Sequence, residues 1–410
     1  MTSTILAEIA NNWRLEAKEE DNGRYFYISN DIPKILSGQK TYIIGRKGMG
    51  KTAISEYVSN LDSVDTFTEK LNFKNFPFNE LYKQSNSDYT PPNQYITLWK
   101  HVIYSVICKM MLRNKNINSE VQESLGLSYE PDKISSLPRL IAKWTDADFD
   151  VLDIEESSKN FKRNSDIPWI TKVDILEDII KKHLDESKYY IIFDELDEDY
   201  RNIKETESFT HYLNLITSLF KAVQDIRSVF KGLRKQIFPI IFLRDDIYSM
   251  IKDADKNKWG DFKIDIDWDE EKIKRLIAFR ISKAISAESP ILPFGKAWGM
   301  VFENAQVQMG NRQANRMDSF DYITRSTQLR PRDYIRYIQV CADATYNNGG
   351  SIISADTVKK VDKAFSNYLK NEIEDELFPI LPDISNIYRI FSEIQKQTFG
   401  IDEFKVTTQA

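Results

Sequence analysis

Eight consecutive residues, Gly45-Arg46-Lys47-Gly48-Met49-Gly50-Lys51-Thr52, fit the pattern G-x-x-x-x-G-K-[ST], and no other feature restricts the fold of this chain as tightly. Glycines at these positions let successive backbone N–H groups turn inward and form a concave nest for an anion. The flanks supply the context such a loop needs. Residues 41–44 (TYII) read as a strand and residues 52–61 (TAISEYVSNL) as a helix, so the loop runs from a strand tip into a helix N-terminus. The helix end adds partial positive charge. In this setting the loop and Ala53 cradle the phosphates, Lys51 reaches the β- and γ-phosphates, and Thr52 offers its hydroxyl to Mg²⁺.

Glycine is scarce elsewhere. The chain has 14 glycines and 13 prolines in 410 residues; three of the glycines lie within the six positions 45–50, and none lies between 51 and 125. So few chain breakers predict a helix-rich protein and exclude collagen-like and low-complexity readings. Apolar residues at 41% and aromatics at 12% suffice for a packed core, which excludes global disorder. The length suggests two or three domains.

Two cysteines, Cys108 and Cys341, lie in apolar helical patterns and read as reduced core residues rather than a disulfide framework. Three dispersed histidines argue against a zinc site. The N-terminus lacks a basic segment before its short apolar run and does not read as a signal peptide. The longest apolar runs, residues 189–193 and 237–243, are far shorter than the ~20 residues of a membrane span. A cytoplasmic location is expected.

Residues 188–193 (KYYIIF) and 238–243 (FPIIFL) are continuous β-branched and aromatic runs, the pattern of buried parallel strands. Residues 25–28 (YFYI) read as a further short strand. Helical spacing marks residues 99–112, 173–184 and 207–235, and then 267–286, 296–308, 332–345, 354–376 and 383–397. The fold class is therefore α/β: a P-loop NTPase αβα sandwich with a parallel sheet, followed by a helical lid and a C-terminal helical region. The expected divisions are 1–64 and 166–262 for the nucleotide-binding core, 65–165 for a mostly helical insert, 263–346 for the lid and 347–410 for the C-terminal helices. Residues 145–156 hold six acidic residues and read as an acidic surface loop or a partner-binding insert.

Asp194 and Glu195 follow the strand YYIIF directly, where a carboxylate points into the ligand crevice of a parallel sheet. Asp194 is the candidate Mg²⁺ ligand and Glu195 the candidate general base that polarises the attacking water. Asp197 is either a supporting group or a surface residue. Arg244 follows FPIIFL in the same way. It reads as a γ-phosphate sensor or as the partner of Asp245 or Asp246. Arg332 opens a helix, where its charge opposes the helix dipole. A phosphate reached from the lid, or an ion pair with Asp333, would resolve that conflict. The basic residues Lys221, Arg227, Lys231, Arg234 and Lys235 form either a solvated face or a nucleic-acid contact.

Taken together, GRKGMGKTA, DELDE, FLRDDI, WDEEKIKRLIAFRI and RPRDYIRYI resemble the bacterial AAA+/STAND-like P-loop ATPases, a group that includes phage-defence-associated families. The resemblance covers about residues 25–60 and 170–345. It implies an ATP-driven switch or assembly, with Arg244 as the strand-tip sensor and Arg332 as the lid sensor. The separation of Lys51 and Asp194, 194 − 51 = 143 residues, is longer than a compact core of this kind needs. The sequence assigns no arginine finger acting from a second copy; Arg201 and Arg234 are named for that role without a motif to support them. The expected activity is Mg²⁺-dependent ATP hydrolysis by a homo-oligomer that controls a separate effector protein. A nucleotide-gated binding module with negligible turnover and a DNA-stimulated ATPase are the alternatives. No motif reads the purine edge, so ATP and GTP are not distinguished.

Overall fold

The computed structural model describes residues 2–61, 63–73, 82, 90–128, 169–197, 206–233, 235–309, 315–378, 381–396, 398–402 and 404. The acidic stretch 145–156 and the two finger candidates, Arg201 and Arg234, lie outside them. The described residues of Glu16–Asp199 and Glu207–Asp267 form one compact unit. Those of Met1–Leu15 and Trp268–Ala410 form a second.

The first unit is built on five parallel strands: β1 (Tyr42–Ile44), β2 (Thr66–Asn72), β3 (Lys188–Asp194), β4 (Gln236–Leu243) and β5 (Lys263–Asp265), in the order β2-β3-β4-β1-β5. The chain is α/β, as expected. Strands β1, β3 and β4 are buried on both faces, which is why they read as unbroken apolar runs. On one face Ile43, Tyr190, Ile192, Ile240, Phe242 and Ile264 pack with Val58 of the helix Lys51–Ser59 and with Ile32 and Ile35. On the other, Tyr42 stacks on Phe220 of the helix Thr206–Lys231 at 4.6 Å. Trp99 of the helix Ile96–Arg113 meets Phe193 edge-on at 5.9 Å, and its indole N–H donates to the Leu215 carbonyl. Helices thus cover both faces of the sheet.

Three boundaries differ from the sequence reading. Strand β2 and the helix Ile96–Arg113 fall within 65–165 yet belong to the sheet unit. β2 pairs with β3 along its whole length, from Thr66 opposite Lys188 to Asn72 opposite Asp194. Its sequence, TFTEKLN, is too polar to announce a core strand. Its charges are compensated by neighbours instead: Glu69 by Arg113 at 2.9 Å and Lys70 by Glu56 at 2.8 Å. Strand β5 likewise falls within 263–346 but pairs with β1. Residues 2–15 join the helical unit rather than the sheet, because Ile5, Leu6, Ile9 and Trp13 are buried there. Residues 25–28 form no strand: the helix Asn22–Tyr25 ends at Phe26, whose ring stacks on Tyr57 at 4.2 Å.

In the helical unit the helix Thr2–Asn12 packs on Pro331–Asn347 and Glu270–Ile285. The guanidinium of Arg280 lies 4.6 Å from the centre of the Trp13 ring. Asp269 and Ser354 accept backbone N–H bonds at the starts of Glu270–Ile285 and Ala355–Leu377. The helix expected over 296–308 is shorter. It spans Phe294–Gly299 and is followed by β6 (Val307–Gln308), which pairs antiparallel with β7 (Arg316–Met317). Among the described residues no helix is long and apolar enough to cross a membrane. Cys108 and Cys341 are buried free thiols, and burial pushes the Cys108 thiol up to about 12.

Candidate nucleotide-binding site

The strand register brings the expected residues to one edge of the sheet. Phe193, Ile241 and Tyr42 lie side by side across β3, β4 and β1. Glu195 and Gly45 therefore leave the sheet at nearly the same height, with Arg244 at the tip of β4 between them. Two strand spacings of about 4.8 Å set the separation of β1 and β3 at roughly 10 Å.

The loop after β1 has the conformation its glycines permit. Gly48 has φ 81° and Gly50 φ 98°, both in the left-handed region. A Cβ on Gly50 would meet nothing within 4 Å, so backbone torsion is what that position demands. A Cβ on Gly45 would come 3.2 Å from Ile266, so closeness is the demand there. Gly50 caps the helix Lys51–Ser59 without a side-chain bond, and the first backbone bond into the loop runs from Ile54 N–H to the Gly50 carbonyl. The N–H groups of Lys51, Thr52 and Ala53 thus stand at the open helix end, as anion binding requires.

Lys51 folds back over this loop. Its ammonium donates to the carbonyls of Gly45 at 2.7 Å and Arg46 at 3.0 Å. Burial lowers its pKa, and the charge of Arg244 adds to that; Asp197, Asp194 and Asp245 act in the opposite sense. The loop lysine, the acid tip of β3 and the basic tip of β4 thus share one electrostatic environment. Arg46 is exposed and pairs with Asp245 at 3.4 Å.

Asp194 is buried, with one carboxylate oxygen accepting the Glu195 N–H at 3.0 Å and the other 2.9 Å from the Lys70 ammonium. Lys70 also meets Glu56 on the loop helix. Burial opposes the charge of Lys70, but the two carboxylates outweigh it and raise its pKa. Glu195 adopts φ 57°, unusual for a residue with a side chain, and its Oε1 accepts from Lys18 at 2.7 Å. Its Oε2 is buried without a hydrogen-bond partner among the described residues. The sequence gives no signal for Lys18 or Lys70. Neither stands in a motif, and only the pairing across the fold reveals them.

Arg244 forms a two-bond pair with Asp246, at 3.1 and 2.7 Å, and lies 3.8 Å from Asp197. The local pairing considered for this arginine is therefore present, at the edge that carries the loop. In the helical unit Arg332 pairs with Glu372 at 3.3 Å. Asp333 takes two bonds from the buried Arg330, at 3.0 and 3.2 Å. The basic helix is largely used inside the fold. Lys221 pairs with Asp253 at 3.0 Å, Arg227 bonds Gly38 and Thr41 and lies 4.3 Å from the Phe262 ring, and Lys235 bonds the Leu184 carbonyl.

Residues 271–374 match the family described as the FunZ-associated C-terminal helical domain. The match begins in the helix Glu270–Ile285, ends in Ala355–Leu377 and includes Arg330, Arg332 and Asp333. No curated protein and no solved structure matches the chain.

Among the described residues no three His, Cys, Asp or Glu side chains converge to hold a metal ion. Thr52 and Asp194 fit Mg²⁺ only as partial ligands beside phosphate and water, which is how this ion is commonly held. The open N–H donors of the loop helix and the unpartnered oxygen of Glu195 suit a bound triphosphate and a water.

Proposed function

We propose that this protein is a Mg²⁺-dependent nucleoside triphosphatase, taking ATP, that works as a nucleotide-driven switch or oligomerising motor controlling a partner protein. The observation that supports it most is the loop 45–52, opening onto a helix N-terminus at the edge that also carries Asp194 and Glu195. The N–H groups of residues 51–53 and the Lys51 ammonium bind and orient the phosphates. Thr52 and Asp194 hold the ion, which offsets phosphate charge. Glu195 orients a water and accepts its proton through the free Oε2. Arg244 and Arg332 are the groups that sense the γ-phosphate, Arg244 by leaving Asp246 and Asp197 and Arg332 by leaving Glu372. A role in phage defence follows from the AAA+/STAND-like resemblance alone. The inward use of Lys221, Arg227 and Lys235 disfavours the DNA-stimulated reading.

The test is paired. Lys51→Ala should abolish binding of a fluorescent ATP analogue. Glu195→Gln should retain binding and lose phosphate release by about 10²-fold or more. Wild-type turnover in Glu195→Gln would remove the base assignment, and binding without release by the wild type would leave a nucleotide-gated module. Turnover per molecule that rises with protein concentration would show a site completed by a second copy.

A further inference from the structure

We propose that Lys18 is a positioning residue for Glu195, holding one oxygen of its carboxylate so that the other faces the reacting water. The inference rests on the reading of Glu195 as general base. Lys18 lies 177 positions away in sequence, yet its ammonium sits 2.7 Å from Oε1 of Glu195. The other oxygen, Oε2, is buried and accepts no hydrogen bond from the described residues.

The backbone beneath the carboxylate is pinned on both sides. The Glu195 N–H donates to Asp194 Oδ1 at 3.0 Å. The next residue, Leu196, is buried, and its carbonyl accepts from the Tyr212 hydroxyl at 3.1 Å. The left-handed φ of Glu195 costs energy that a glycine would avoid, and such outliers persist where surrounding contacts hold them. With the main chain fixed, the remaining freedom is rotation of a flexible side chain about its own bonds. The Lys18 contact removes that freedom and leaves one lone-pair-bearing oxygen in a defined direction. With Oε1 held by Lys18, Oε2 is the oxygen that keeps all its lone pairs for a water, whereas a carboxylate held at neither oxygen would point many ways. Lys18 stands three residues past Leu15, where the chain passes from the helical unit to the sheet unit.

The experiment uses the full chain with Lys18→Met, which keeps the aliphatic length and removes the charge, and Lys18→Arg, which restores a donor. Steady-state phosphate release gives kcat and KM, and a fluorescent ATP analogue gives Kd. Lys18→Met should lower kcat about tenfold or more while KM and Kd stay within about twofold, and Lys18→Arg should recover most of the loss. In a Glu195→Gln background the same Lys18→Met change should alter the residual rate by less than about twofold, because the two groups act as a unit. An unchanged or raised kcat in Lys18→Met overturns the proposal. So does an equal loss with and without Glu195, which would mark a merely structural contact. Failure of the underlying reading shows elsewhere, in a wild type that releases no phosphate or a Glu195→Gln variant that turns over normally.

Discussion

Gly50→Ala separates what the proposed phosphate-binding role of the loop needs from what the fold needs. Gly50 has φ 98° and ψ 13°, and an added Cβ would touch nothing within 4 Å. The penalty is therefore torsional. A residue with a side chain in the left-handed region carries a cost of about 1–2 kcal/mol. Two limits follow. If the loop keeps its shape, the strain appears as lost stability, reduced by the ~0.4–1 kcal/mol that alanine returns by restricting the unfolded chain. If the loop relaxes, stability is nearly unchanged, the N–H groups around Lys51 turn away, and the strain must be restored on binding. That second limit weakens ATP binding by about 5–30-fold, since 1.4 kcal/mol corresponds to tenfold. The loop has no packed neighbour at this Cβ to hold it, so the second limit is expected. Denaturant midpoints and titration of a fluorescent ATP analogue measure both quantities on one preparation. Gly126→Ala, at an open position in the helix Ser119–Ser128, is the control and should stabilise by up to ~1 kcal/mol without touching binding. A Gly50→Ala protein with wild-type affinity and wild-type stability would refute the reasoning.

Other substitutions test the ion pairs. Asp333→Ala leaves the buried Arg330 without its two-bond partner and should destabilise the protein by about 3–5 kcal/mol in denaturant unfolding; a loss under ~1 kcal/mol would contradict this. Arg332→Gln breaks a more accessible pair with Glu372 and should change stability by less than ~1 kcal/mol while lowering ATP turnover, separating the two arginines of one helix start. Asp185 provides a pH test. Burial opposes its charge, but bonds from Ser187 at 2.6 Å and Tyr189 at 2.7 Å outweigh burial and hold its pKa below the usual carboxylate range. Its contribution to stability is thus full above about pH 4, where the unfolded carboxyl is also ionised, and is lost as pH falls through the lower folded value. The stability gap between wild type and Asp185→Asn should be constant from neutral pH to about pH 5 and close in acid.

The parts of the fold legible in the sequence are those where one local rule suffices. The runs YYIIF and FPIIFL are buried on both faces, so apolar continuity alone identifies β3 and β4. Gly48 and Gly50 stand where the backbone turns to positive φ, so the loop is visible in glycine placement. The same rule fails for β2, because an edge strand whose charges pair with Glu56, Arg113 and Asp194 need not be apolar. It fails for the N-terminal helix for a different reason. Ile5, Leu6 and Ile9 announce a buried stripe, but nothing local says which unit buries it.

The candidate site divides along the same line. Its motif residues, from Gly45 to Ala53 with Asp194 and Glu195, stand out in the sequence because the proposed chemistry calls for fixed residue types just after a strand. The two lysines that contact the acids do not. Any cation of sufficient reach can compensate a carboxylate, so neither spacing nor flanking pattern distinguishes Lys18 from its neighbours in KEEDNG, or Lys70 from other charges in TFTEKLN. Their effects on the acid tip differ in kind. Lys70 lies 2.9 Å from Asp194 and is shared with Glu56, so it competes with any cation that Asp194 is to hold. Lys18 occupies only one oxygen of Glu195, and the other accepts no hydrogen bond from the described residues. Replacing Lys70 by Met should therefore change the Mg²⁺ concentration needed for half-maximal turnover, whereas replacing Lys18 should change the maximal rate. Two such separable effects, if both are measured, would assign the tuning of the proposed ion and of the proposed base to residues outside every motif.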